Sequence, residues 1–178
     1  MSIDIALYIA TSLDGFIATS EGGIDWLSAI ETPEEDYGYK AFYDSIDAIV
    51  MGRRTYDQVL SFGDWPYPGK SSYVMTSRPL SSELPALKAT AQSPSELVAT
   101  LQAEGCRRVW LVGGAALAAA FRAEGLISEY ILSVIPVLLG EGISLFGSPG
   151  PRTELQLHSA ETFDSGVVQL TYRAAKPL

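Results

Sequence analysis

Four nearly uninterrupted apolar runs constrain this chain most: residues 5–10 (IALYIA), 48–51 (AIVM), 73–75 (YVM) and 109–112 (VWLV). A strand with one face in water alternates apolar and polar residues, and these do not. Runs of this kind suit central strands covered on both faces, as in a parallel sheet flanked by helices. Amphipathic stretches fall between them, which is the pattern of β-α units. After Pro33, the residues Glu35, Tyr39, Phe42, Tyr43 and Ile46 recur at helical spacing. Ser93-Pro94-Ser95-Glu96 reads as a capping box with proline at the first helical position, followed by an apolar face of Leu97, Val98 and Leu101 and a stop at Gly105. A third helix is predicted over residues 115–124, ending at Gly125.

The last third reads differently. Residues 131–139, 154–163 and 167–173 have strand character, and Asp164-Ser165-Gly166 forms a tight turn between the last two. Together these features predict a three-layer αβα domain over residues 1–178. Its central sheet would be mixed, mostly parallel, and would end in an antiparallel hairpin.

Composition narrows the functions. The net charge of -9 repels phosphate backbones at long range and argues against general nucleic-acid binding. A phosphate-bearing ligand would need a local cluster of donors. One cysteine, Cys106, and one histidine, His158, exclude disulfide frameworks and zinc sites of ordinary spacing, so no metal is expected. Cys106 reads as a buried, inert thiol and His158 as a sheet histidine. No apolar stretch reaches membrane-spanning length, and no basic region precedes the first apolar run, so a cytoplasmic protein is expected.

Three segments each follow an apolar strand and can open a helix or turn: Met51-Gly52-Arg53-Arg54-Thr55-Tyr56, Met75-Thr76-Ser77-Arg78-Pro79 and Val112-Gly113-Gly114-Ala115. In open α/β sheets, ligands bind beyond the carboxyl ends of the strands. Helix starts there offer free amides and partial positive charge to phosphate oxygens. Two arginines at a helix start oppose the macrodipole, which suggests an anionic partner. Singly, each segment also has a plain reading as a turn or a solvated helix start.

These segments, in this order after Ile9-Ala10-Thr11-Ser12-Leu13-Asp14-Gly15-Phe16-Ile17-Ala18, resemble the dihydrofolate-reductase-like superfamily. The resemblance is strongest to the branch of the riboflavin-biosynthesis reductase domain, with residues 136–146 (PVLLGEGISLF) similar to its late segment. It implies an NADPH-dependent oxidoreductase. Gly52, Arg53, Arg54 and Thr55 would bind the pyrophosphate and the 2′-phosphate, and Thr76, Ser77 and Arg78 would line the adenosine side. Gly113, Gly114 and Ala115 would cradle the pyrophosphate, with a cis peptide joining the glycines. Ala10 and Ile17 would flank the nicotinamide. The three arginines favour NADPH over NADH.

Hydride transfer leaves charge to be protonated, and Glu31, Glu34, Glu35 and Asp36 are the candidate acids. Helical spacing places Glu35 on the face of Tyr39 and Phe42, so Glu35 is the expected catalytic acid, although all four also suit a helix start. Asp14 reads as a loop organiser or a substrate-side carboxylate. Lys70 stands where the resemblance implies a substrate-anion contact, and it can meet a phosphate or be a surface charge. Trp26, Trp65 and Tyr67 can wall a substrate cleft or pack the core. The expected activity is reduction of a small heterocycle similar to 5-amino-6-(5-phosphoribosylamino)uracil. A dihydrofolate or pterin reductase and a non-catalytic NADPH-binding module are the alternatives. By resemblance the protein would be a homodimer.

Overall fold

The computed structural model describes residues 2–81 and 84–175. Elements follow in the order β1 (Asp4–Ser12), β2 (Phe16–Ala18), a 3-10 helix (Asp25–Ile30), α1 (Tyr39–Ser45), β3 (Ala48–Gly52) and α2 (Arg53–Ser61). The chain continues through β4 (Ser71–Met75), β5 (Leu87–Thr90), α3 (Pro94–Ala103), β6 (Arg108–Gly113), α4 (Ala115–Ala123) and β7 (Glu129–Ile135). It closes with β8 (Ile143–Ser144), β9 (Leu155–Thr162) and β10 (Val168–Ala174). Eight strands form one sheet in the order β5-β4-β3-β6-β1-β7-β10-β9, while β2 and β8 pair separately. Pairings from β5 to β7 are parallel. Those of β10 with β7 and β9 are antiparallel. The expected mostly parallel sheet with a closing hairpin is what forms.

The apolar runs are central because successive side chains enter opposite layers. Ile5, Leu7, Val50, Val109 and Leu111 pack with Leu97 and Leu101 of α3 and with Ala118 and Phe121 of α4. Ala6, Ile49, Met51, Val74 and Trp110 pack with Phe42 of α1 and Tyr56 of α2. Two cores on one sheet make the three layers.

Several boundaries differ from the sequence reading, each for a local reason. The helix expected to include Glu35 starts only at Tyr39. Asp36 caps it instead, its carboxylate accepting from the amides of Gly38 (2.9 Å) and Lys40 (3.1 Å). The strand expected to reach residue 139 ends at Ile135. Pro136 has no amide to continue the ladder, and the chain peels away so that Leu13 N donates to Val137 O at 2.8 Å. The short strands β2, β5 and β8 were not expected, since none carries a run long enough to register.

One predicted detail is present in full. The capping box at Ser93 forms in both directions: the Glu96 amide donates to the Ser93 hydroxyl, and the Ser93 amide donates to the Glu96 carboxylate at 2.8 Å. Cys106, expected to be buried, is only half-buried; that burial pushes its thiol pKa up. Ser93→Ala is expected to lower stability by about 1 kcal/mol, the usual worth of an N-cap. Urea denaturation, read as a shift in midpoint at constant slope, checks this.

Candidate functional site

Register brings the three strand-end segments together. At the carboxyl edge of β4, β3 and β6, Gly52 lies opposite Met75 and Met51 lies opposite Gly113. The segments touch there. A Cβ built on Gly52 would sit 3.7 Å from Gly113 O and 3.9 Å from Gly114 N, and one on Gly114 would sit 3.8 Å from Thr55 Oγ1. Arg53 Nη1 donates to Pro79 O at 3.0 Å, tying the start of α2 to the turn after β4. Gly52 and Gly114 are the N-cap residues of α2 and α4, and neither supplies a side-chain cap. The first-turn amides of both helices are therefore open to an outside acceptor. The peptide between Gly113 and Gly114 is cis, and Gly113 has φ 122°, a conformation only glycine adopts readily.

The arginines divide by role. The Arg53 Nε pairs with Asp57 at 2.8 Å one turn on within α2 while its Nη1 holds Pro79 O, so its guanidinium already has partners in the protein. Part of the reason for an arginine at this helix start is thus internal. Arg54 and Arg78 are exposed, and neither has an ion-pair partner among the described residues. Thr76 Oγ1 accepts the Arg78 amide at 3.1 Å and shapes that turn. The cradle thus suits a dinucleotide: bare amides from two helices, a glycine pair allowing close approach, and unpaired guanidinium groups beside them.

A cavity of about 280 Å³ adjoins it. Its floor is Tyr8, Ile9 and Ala10 of β1, Trp110 of β6, and Ser133 and Ile135 of β7, and its roof includes Leu27, Ile30 and Tyr37. Ile9 joins cavity to cradle, because its Cδ1 would lie 3.3 Å from a Cβ on Gly113. Tyr37 holds the roof at φ 54°. Its carbonyl accepts from Gln169 Nε2 at 3.0 Å and from the Tyr8 hydroxyl at 3.3 Å, while its own hydroxyl donates to Ile30 O at 2.7 Å. Its ring meets Phe163 edge-on with centroids 4.9 Å apart. Burial raises the pKa of Tyr8, which keeps that phenol a neutral donor.

Not every expected residue reaches this cleft. Ala10 does. Glu35 is corrected: it lies before α1, and its carboxylate accepts from the Tyr37 amide at 2.9 Å, bracing the roof from behind. Glu31 and Asp36 are the carboxylates that line the cavity. Lys70 is corrected too. Its ammonium donates to Ile46 O at 2.5 Å and sits 5.3 Å over the Tyr43 ring, apart from the cavity. Ile17 packs against the core on the α3–α4 side. Trp26 is half-buried within the 3-10 helix; its neighbours Leu27 and Ile30, rather than its own ring, meet the cavity. Tyr67 belongs to the aromatic core, edge-on to Trp110 at 5.4 Å, and burial pushes its pKa up to about 12. Trp65 packs edge-on to Tyr67 at 5.2 Å. Sequence reasoning missed Tyr37, Ser133, Val167 and Gln169, which carry no local motif.

Asp14 organises loops. It accepts from Ser12 Oγ at 2.6 Å, and from the amides of Leu139 (3.2 Å) and Gly140 (2.8 Å), fastening the segment after β7 to the turn after β1. The Ser12 hydroxyl and these amides hold its carboxyl below the usual aspartate range. Gly142 completes the fastening: at φ 149° it lies so close to Ala18 O that a Cβ has no room.

Comparison with known proteins agrees with this fold. The model of the RibD C-terminal domain family matches residues 4–169. The uncharacterised protein YwjB of Bacillus subtilis is 40% identical over 167 residues, covering 93% of this chain and 95% of its own. A solved Shewanella sp. PV-4 protein, named for a provisional role in riboflavin biosynthesis, is 31% identical with a TM-score of 0.87, covering 98% of this chain and all of that one. The Thermotoga maritima diaminohydroxyphosphoribosylaminopyrimidine deaminase/5-amino-6-(5-phosphoribosylamino)uracil reductase shares the fold at 15% identity and TM-score 0.75. This chain corresponds to 57% of that protein's length.

Because its folded-state pKa is depressed, Asp14 contributes stability that is present above the unfolded aspartate pKa and lost as pH falls through the folded value. Asp14→Ala is therefore expected to melt at a lower temperature than the parent near neutrality. The gap should close as the pH is taken down through the carboxylate range. Thermal scans of both proteins over a pH series check it.

Proposed function

From a chain that belongs to the RibD C-terminal domain family, we propose a reductase that takes NADPH and reduces a small heterocyclic substrate held beneath Tyr37. The observation that carries this reading is the contact between cradle and cleft at Ile9, which serves both. A dinucleotide's phosphates and its reactive ring need two such sites, adjoining. The named activity of the Thermotoga neighbour is of the same reaction class.

NADPH, when bound, supplies the hydride. The chain's own residues bind and orient. First-turn amides of α2 and α4, with Gly113 and Gly114, would hold the diphosphate oxygens, and Thr55 and Ala115 border them. Thr76, Ser77, Arg54 and Arg78 would take the 2′-phosphate, where unpaired guanidinium groups prefer NADPH to NADH. Arg53 keeps the two loops at a fixed separation. Ile9 and Ala10 border the place of the nicotinamide, and the apolar wall of Tyr8, Trp110, Leu27, Ile30 and Ile135 keeps water from the reacting atoms. Asp36 is occupied by two amides at the start of α1. Glu31 is thus the cleft carboxylate left to meet a substrate nitrogen.

Calorimetric titration is expected to show NADPH binding, with NADH weaker by tenfold or more. Replacing Arg54 and Arg78 together by alanine should cost NADPH about tenfold or more in affinity and leave NADH nearly unchanged. Loss of nicotinamide absorbance against pyrimidine and pterin substrates then separates a reductase from a binding module. A protein that ignores NADPH would end the proposal.

We also propose a homodimer joined along β9. All eight of its residues are exposed, Leu155 and Leu157 among them at 40% and 58%, and the strand is the open edge of the sheet. Such an edge invites pairing with another strand. Light scattering coupled to gel filtration should give twice the chain mass, and Leu157→Lys should shift it toward the monomer.

A further inference from the structure

The substrate cleft carries a chemical preference of its own, and this inference rests on the reductase reading for its choice of site. Phosphate is held by cations and by free hydrogen-bond donors, and the lining is poor in both. Among the described residues that line the cavity there is no lysine or arginine. Lys70 is bound to Ile46 O. Arg108 is paired with Glu129 and donates to Ser45 Oγ at 2.9 Å.

Of the lining's side-chain donors, both phenols and the indole are already used, and the Ser133 hydroxyl, which accepts from Gln169 Nε2 at 3.1 Å, is the one left among the described residues. Tyr8 donates to Tyr37 O, Tyr37 to Ile30 O, and the Trp110 indole N–H to Tyr8 O at 3.0 Å. The amides at the start of α1, a natural seat for an anion, are filled by Asp36. What faces the cavity is mostly aromatic and aliphatic surface, with the Ser133 hydroxyl, Asp36 held by its two amides, and Glu31, whose carboxylate has no partner among the described residues. Flat rings stack on such walls, ring N–H groups can reach a carboxylate, and a phosphate there meets like charge.

We propose that the cleft takes an unphosphorylated planar heterocycle and discriminates against the phosphoribosyl form, with Glu31 as the residue that sets the preference. On this reading the chain shares a fold with the Thermotoga enzyme but not its phosphorylated substrate.

The test is calorimetric binding of three probes to the full chain: pterin, 5-amino-6-(ribosylamino)uracil and the latter's 5′-phosphate. At least one unphosphorylated probe is expected to bind about tenfold more tightly than the phosphate. Glu31→Gln should shrink that preference, and Glu31→Lys should reverse it; circular dichroism confirms that both variants fold. Equal or tighter binding of the phosphate overturns the proposal, as does failure of both unphosphorylated probes to bind. A separate NADPH titration keeps the two readings apart. A chain that shows the preference without binding NADPH loses the reductase assignment and keeps the cleft chemistry, and the converse result does the opposite.

Discussion

The site depends on the parallel pairing of β4, β3 and β6, in which the β3–β6 register shifts between Val50 and Met51 so that Met51 meets Gly113. Parallel strands carry every following turn to the same edge of the sheet, so Gly52, Met75 and Gly113 arrive side by side although 61 positions separate the first from the last. Helices α2 and α4 leave that edge into opposite layers, and their bare first turns remain together between them. A shift of one residue in β3 would turn Met51 and Val50 to the wrong layers and separate the glycines, so packing of the two cores fixes the cradle's geometry.

The cleft has a different origin. It lies where β1 and β7 are covered by irregular chain rather than by a long helix. The 3-10 helix and the turn at Tyr37 bridge the gap, held by hydrogen bonds from Tyr8 and Gln169. Aromatic rings make most of its wall, and their polar atoms turn to backbone carbonyls, so the cavity is apolar despite two tyrosines and a tryptophan. Three of the chain's twelve lysines and arginines, Arg53, Arg54 and Arg78, stand just after β3 and β4.

Much of this was legible in the residues alone. Unalternating apolar runs announced buried parallel strands, Ser93 to Glu96 announced a helix start, and the segments MGRRTY, MTSRP and VGGA marked strand ends suited to phosphate. Asp14 behaves as the turn residue its neighbours Leu13 and Gly15 suggested. Glu35 stands outside the cavity lining because its spacing relative to Tyr39 presupposed a helix that begins four residues later, where Asp36 holds the start. Lys70 lies apart from the cavity because its ammonium turns to the Ile46 carbonyl and the Tyr43 ring.

By itself, then, the sequence determined the layers, the central strands with their main helices, and the edge where glycine-rich helix starts gather, since burial periodicity and helix starts are local properties. Tertiary structure alone decided the cleft. Gln169 lies 132 positions from Tyr37, and a pairing so distant leaves no periodic trace. Which carboxylate faces a cavity depends on the few side chains that close around it, and their choice of hydrogen-bond partner is made only once the chain has folded.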